Sequence, residues 1–268
     1  MKIISAKWDH EPEIRRIWTE CFHDEKEYLD LFFQYRFQPN LTKLLIIGTE
    51  VAGMIHLLPC KIAPNQDAYY WYAVGISEKF RGNGYFHKFV DAVLEENKKF
   101  GYANVCKPRK GLEALYQKHG FIYPYYEKEI AFTREITEKN NQIKIEAGEP
   151  KDFVFETVSH GTTIWDLKSI EYAIKENEFC DGKTMRFQIN EENYFSLAIH
   201  SERGWILNHG NVSEIAASIA KDSILGFLKT DQFILKITDR NSNTFENISG
   251  LSDSPLVGAG SSITFTLD

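Results

Sequence analysis

A chain of 268 residues with 43% hydrophobic and 26% charged side chains has enough apolar material for two ordinary globular cores, which excludes intrinsic disorder. The net charge of −7 opposes a broad nucleic-acid surface, because phosphate neutralisation needs a basic face. The first ten residues hold no apolar run of leader type, and the apolar stretch from Leu44 to Cys60, broken by Glu50 and His56, is too short for a membrane span.

In chain order, Asp9 or His10 is placed to cap a first helix, with Glu11-Pro12 in its opening turn. Ile14, Ile17, Trp18, Cys21 and Phe22 repeat at helical spacing behind it. A second aromatic helix is expected over 25–37. Strands follow at 44–48 and 51–58, with a hairpin-sized gap at Thr49-Glu50, and Pro59 is expected to end the pair. Tyr69 to Ile76 reads as the next strand. The segment Arg81-Gly82-Asn83-Gly84 leads from it into an amphipathic helix carrying Phe86, Phe89, Val90, Val93 and Leu94 and reaching Lys99.

A short strand at 103–106, a short helix at 111–119 closed by Gly120, and a strand at 129–133 complete a first domain, 1–134. The polar run 135–142 marks the boundary. The second domain, 141–268, is expected to hold a helix at 164–176 and strands at 185–189, 194–200 and 204–207. A helix capped by Asn211 then turns Ile215, Ile219, Leu225 and Leu228 inward; strands at 233–238 and 263–267 flank a loop over 249–262.

Charge is uneven: residues 1–140 sum to +1 and residues 141–268 to −8, with a local +5 over 79–118. That basic stretch suits one phosphorylated ligand or, equally, solvated helix faces. Cys21, Cys60, Cys106 and Cys180 are scattered without metal-ligand spacing, so they read as reduced thiols of a cytoplasmic protein with no metal. Cys60 reads as core filler.

The most informative segment is the strand Tyr72-Ala73-Val74-Gly75-Ile76 followed by Arg81-Gly82-Asn83-Gly84-Tyr85-Phe86 at a helix start. Glycines there let backbone N–H groups converge on an anion beside the helix dipole. No Gly-Lys-Ser/Thr follows, and a third glycine is missing, so neither common nucleotide loop fits. The residues alone leave open a phosphate cradle or a plain tight strand–helix turn.

Some thirty residues on stands Tyr116-Gln117-Lys118-His119-Gly120-Phe121. The loop and the Tyr-x-x-x-Gly-Phe segment in this order resemble the GNAT N-acetyltransferase family over roughly residues 1–133. Gly53-Met54-Ile55-His56-Leu57-Leu58-Pro59-Cys60, Trp18-Thr19-Glu20-Cys21-Phe22 and the large Phe86 are similar to the Eis-type branch, in which a second GNAT-like domain lacks the cofactor loop.

The resemblance implies an α/β fold with a central mixed, largely antiparallel sheet flanked by helices, plus a smaller second α/β domain. It further implies acetyl-CoA as co-substrate and a small-molecule or peptide amine as acceptor. Backbone groups of Val74 and Ile76 would pair with the pantetheine arm, and amides of Gly82, Asn83, Gly84, Tyr85 and Phe86 would hold the diphosphate. Arg81 would anchor the loop, and Tyr116 would protonate the departing thiolate. The general base is unassigned among Glu20, His23, Glu25, His56 and water. Because the first two helices border the acceptor cleft in that family, Glu11, Glu13, Glu20, Asp24, Glu25, Glu27 and Asp30 lead to the expectation of a cationic acceptor. The alternative is a non-catalytic acyl-CoA-binding module.

Overall fold

The computed structural model describes residues 1–134, 143–153, 160–238 and 248–257. Its elements are β1 (Lys2–Ser5), α1 (Glu11–Phe22), α2 (Lys26–Tyr35), β2 (Thr42–Ile47), β3 (Glu50–Ile62), β4 (Gln66–Ile76), α3 (Tyr85–Lys99), β5 (Ala103–Cys106) and α4 (Glu113–Gln117). There follow β6 (Tyr123–Thr133), β7 (Thr163–Trp165), α5 (Leu167–Phe179), β8 (Lys183–Ile189), β9 (Glu192–Ser201), β10 (Gly204–Gly210), α6 (Glu214–Leu228), β11 (Gln232–Thr238) and β12 (Ile248–Ser252). The polar run 135–142 and the strand expected at 263–267 lie outside the described residues.

Two compact units emerge, one of residues 1–124 with the stretch from Gly250, the other of residues 125–249. In the first, β1, β2, β3 and β4 form an antiparallel meander, β5 joins β4 in parallel after the crossover helix α3, and Leu251 and Ser252 lie antiparallel on β5. The parallel step requires a helical crossover, which α3 supplies. In the second unit β8, β9 and β10 repeat the meander, β11 joins β10 in parallel after α6, and the part of β6 from Glu127 to Thr133 lies antiparallel on β11.

Several expectations are corrected. β3 does not stop at Pro59 but runs to Ile62, because Pro59 sits opposite Tyr69 in a long hairpin that turns only at 63–65. The segment 249–262 is not all loop: its start is strand, held by the backbone of β5. Asn211 does not cap α6. Its side chain bridges to Phe195 N–H and the Asn193 oxygen, while Ser213 accepts from Ala216 N–H as the cap. Ile215 and Ile219 face solvent. Ala216, Ala217, Ala220 and Ile224 pack inward with Leu225 and Leu228. β1 carries no alternation, being largely exposed, and gave no signal.

The core of the first unit is aromatic. α1 buries Ile14, Ile17 and Trp18, and α2 buries Leu29, Phe32 and Phe33. The Trp18, Phe32 and Phe37 rings surround His56 on β3, with centroids 4.7–6.0 Å away. Thr42 Oγ1 donates to the Gln38 oxygen at 3.1 Å, so it accepts from His56 Nδ1–H at 2.8 Å. His56 Nε2 is buried without a partner.

Burial, with the nearby Arg36 charge, lowers the His56 pKa to about 3. An unfolded histidine binds its proton near pH 6.5, so between those values the unfolded state holds a proton that the folded state refuses. Stability from this group is therefore complete above pH 6.5 and falls on acidification. Between pH 7.5 and 5 the loss should be about 2 kcal/mol. Urea unfolding at both values should show that loss in the native chain and a correspondingly smaller one in His56→Leu. Equal losses would remove His56 from the account.

Candidate functional site

The site begins with a local defect in β4. Ala73 adopts the left-handed backbone region, φ +48°, uncommon for a residue with a Cβ, and the β3–β4 register shifts beside it, between Met54 and His56. Pairing of β4 with β5 runs from Ala68↔Ala103 to Trp71↔Cys106 and stops there. Ser77 N–H donates to the Ala52 oxygen on β3 at 2.9 Å. Since polar groups alternate along a strand, those of Val74 and Ile76 point to the opposite edge. The Ile76 oxygen is already an acceptor, from Arg81 Nε at 2.9 Å and Cys21 Sγ at 3.5 Å.

Against that edge opens a cleft of about 1150 Å³, entirely within the first unit. Its walls include Val74 and Ile76, the glycine loop, Phe86 and Tyr116. Gly82 and Gly84 have φ of +77° and +71°, and nothing stands within 4 Å of where a Cβ would be on either. The loop is thus open on that side, and Gly82 and Gly84 line the cleft, where their amides could face an anion. Gly84 caps α3, whose first residues are Tyr85 and Phe86. Arg81 fastens the loop through the Ile76 oxygen and reaches Cys21 Sγ at 3.3 Å. Asn83 donates to the Arg81 oxygen at 3.0 Å, closing the turn from inside.

Tyr116 lies on α4, buried edge-on between Phe86 (5.9 Å between ring centroids) and Phe121 (5.7 Å). The large side chain at Phe86 is therefore a wall for Tyr116. Burial, with Cys106 beside it, raises the phenol well above its ordinary pKa, so it keeps its proton at neutral pH. Cys106 itself is buried and its thiol is pushed well up, while Cys60 is buried core filler.

The candidate bases and the acidic mouth fare differently. His56 is buried away from the cleft lining. Burial raises the Glu20 carboxyl, but hydrogen bonds from Ser77, Arg16 and the Glu78 amide outweigh it and hold it below the usual range. Glu11 pairs with Arg15, Glu20 with Arg16 and Asp30 with Lys26, as helical i,i+4 spacing favours, and Asp30 also reaches across from α2 to Arg15. Among the described residues only Asp24 of the acidic set lines the cleft, accepting from Trp18 Nε1 at 2.7 Å. His23 and Glu25 do not line it. The acidic mouth is not formed.

The cleft is instead lined by cations that the sequence reading left unassigned: Lys107, Arg109 and Lys110 between β5 and α4. Arg109 lies over the Phe22 ring at 4.8 Å and donates to the Cys21 oxygen at 3.4 Å. The run Lys107-Pro108-Arg109-Lys110 was the available signal. Among the described residues no three His, Cys, Asp or Glu side chains gather as a metal set, and no helix is long and apolar enough to cross a membrane.

Residues 10–121 match the model of the acetyltransferase (GNAT) family. No curated protein matches the sequence at a significant level. Among solved structures the chain is similar to a GCN5-related N-acetyltransferase from Anabaena variabilis, at 14% identity and TM-score 0.72, covering 94% of this chain and 71% of that one. A probable N-acyltransferase from Enterococcus faecalis is similar at 10% identity and TM-score 0.73, with the same coverage. Eis1 from Mycobacterium abscessus is similar at 11% identity and TM-score 0.62, covering 88% of this chain and 65% of that one. Identities this low establish the fold alone, a mixed α/β architecture of GNAT type.

Proposed function

Starting from a GNAT-family domain over residues 10–121, we propose that the chain is an N-acetyltransferase. It moves an acetyl group from acetyl-CoA to a primary amine by direct attack within a ternary complex. The observation that carries this reading is the meeting, in one cleft, of the open glycine loop, the unpaired edge of β4 and the buried phenol of Tyr116.

Each part has a physical task. Amides of Gly82, Asn83, Gly84, Tyr85 and Phe86 hold the diphosphate at the start of α3, where the helix dipole favours negative charge. Arg81 keeps the loop closed. Val74 and the Ile76 N–H pair with the amide-bearing pantetheine arm as an added strand would. Tyr116 donates its proton to the sulfur as the thioester carbon–sulfur bond breaks. Burial raises both the phenol and a thiolate held in the same dry cleft, so the match between donor and acceptor survives desolvation. The amine's proton leaves to water, since no carboxylate stands on the edge of β4.

Lys107, Arg109 and Lys110 make the cleft cationic, so the acceptor is an amine on a neutral or acidic body rather than the polycation suggested by the acids of α1 and α2. Raising salt should then improve kcat/KM for a polyamine relative to an amino-acid-like acceptor, because screening weakens the repulsion of the polycation.

Gly84→Glu should abolish CoA binding, because a side chain would be forced into left-handed backbone and a carboxylate into the cradle. Titration calorimetry on the folded variant checks it; unchanged affinity removes the cradle. Tyr116→Phe should leave acetyl-CoA affinity within a few-fold and cut turnover by roughly 10². Turnover at the unchanged level would make water the acid. Acetyl-CoA binding without thiol release across an amine panel would favour the non-catalytic module.

A further inference from the structure

Beside the glycine loop the structure contains a chain of three titratable side chains to which the mechanism above gives no role. Asp91, one turn along α3, accepts from His119 Nδ1 at 2.5 Å. His119 Nε2 meets His87 Nδ1 at 2.8 Å. His87 stands in the first turn of α3 and lines the cleft next to Phe86. The two imidazoles lie 5.0 Å apart between centroids, and the His119 side chain is only 5% exposed.

The hydrogen bonds order the protons. A carboxylate only accepts, so His119 carries its proton on Nδ1 toward Asp91. Its Nε2 is then an acceptor, and His87 must donate from Nδ1. That leaves His87 Nε2 as a bare lone pair while His87 is neutral and as a donor once a second proton arrives. Asp91 supplies one negative charge behind the pair, so one added positive charge is balanced. A buried histidine whose partners are both satisfied, placed between a carboxylate and a cleft-lining histidine, transmits that bias to the cleft.

We infer that His87 is a proton-accepting phosphate ligand. As a phosphate group of the acyl-CoA docks on the loop, His87 takes up a proton, and its Nε2–H donates to a phosphate oxygen, with His119 and Asp91 as positioning residues. The inference rests on the acyl-CoA reading above. The other charged groups about His87 are Lys88 on α3, Glu113 and Lys118 around α4, and Arg81, Lys107, Arg109 and Lys110 along the cleft. The cations among them attract the same phosphates, and the histidine is set apart by gaining its proton with the ligand.

The test is calorimetric titration of the full chain with CoA at pH 7.5, in HEPES and in Tris, whose ionisation heats differ. The native chain should take up protons on binding. His87→Gln and Asp91→Asn, both at exposed positions, should keep the native unfolding transition. His87→Gln should bind CoA about tenfold more weakly, as for loss of a charge-assisted hydrogen bond, and take up on the order of one proton fewer. Asp91→Asn should reduce proton uptake while leaving the His87 ring in place. If His87→Gln binds with native affinity and native proton uptake, the relay is overturned and the acyl-CoA reading stands. If the native chain does not bind CoA, both fall.

Discussion

The site depends on one backbone constraint: β4 must leave β5 after Trp71. The left-handed turn at Ala73 does this at a cost of roughly 1 kcal/mol or more, which the surrounding meander carries. Without the kink β4 would go on pairing, Val74 and Ile76 would have strand partners, and no edge would face the glycine loop. α1 secures the departing strand from behind. A Cβ on Gly75 would come within 2.9 Å of Cys21 Sγ and 3.4 Å of Ile17, so only glycine lets helix and strand approach this closely. The same cysteine meets Arg81, which ties strand, helix and loop at one point.

Much of this was legible in residue order. Helical periodicity in α1 and α3, β-branched and aromatic runs in β2 to β4, and the Arg-Gly-x-Gly turn are local signals, and they appear where expected. What was not legible is non-local. Glu11, Glu20 and Asp30 counted toward a charged mouth, but the fold pairs Glu11 with Arg15, Glu20 with Arg16, and Asp30 with Lys26 and Arg15. The cations of the cleft come from a loop whose direction no periodicity encodes. His119 and His87 are thirty-two residues apart and meet only because α4 packs beside α3. Ile215 and Ile219 illustrate a subtler failure, since the small Ala216, Ala217 and Ala220 and not these larger isoleucines form the packed stripe of α6.

The two units share a plan: an antiparallel meander, a crossover helix and a parallel strand, covered by one further antiparallel strand. They differ at the crossover. In the first, β4 reaches α3 through two left-handed glycines with open space around them. In the second, β10 reaches α6 through a serine cap that satisfies the helix N-terminus with the chain's own oxygen. Amide donors left unclaimed by the fold are available to an anion, whereas capped ones are not. The same crossover therefore makes a candidate binding site once and a plain connection once.

The strand that covers β5 comes from the far end of the chain. Asp253 accepts from Asn104 N–H and Asn104 Nδ2, both at 2.7 Å, while Asn104 Oδ1 accepts from Trp71 Nε1 and from Asn97. Trp71 packs edge-on against Phe121, which packs edge-on against Tyr116. On the ribosome, the amide of Asn104 therefore waits for a carboxylate made some hundred and fifty residues later. The half of the chain bearing the cleft is synthesised first and completed last, so this wall of the cleft acquires its final packing only when translation has passed the second unit.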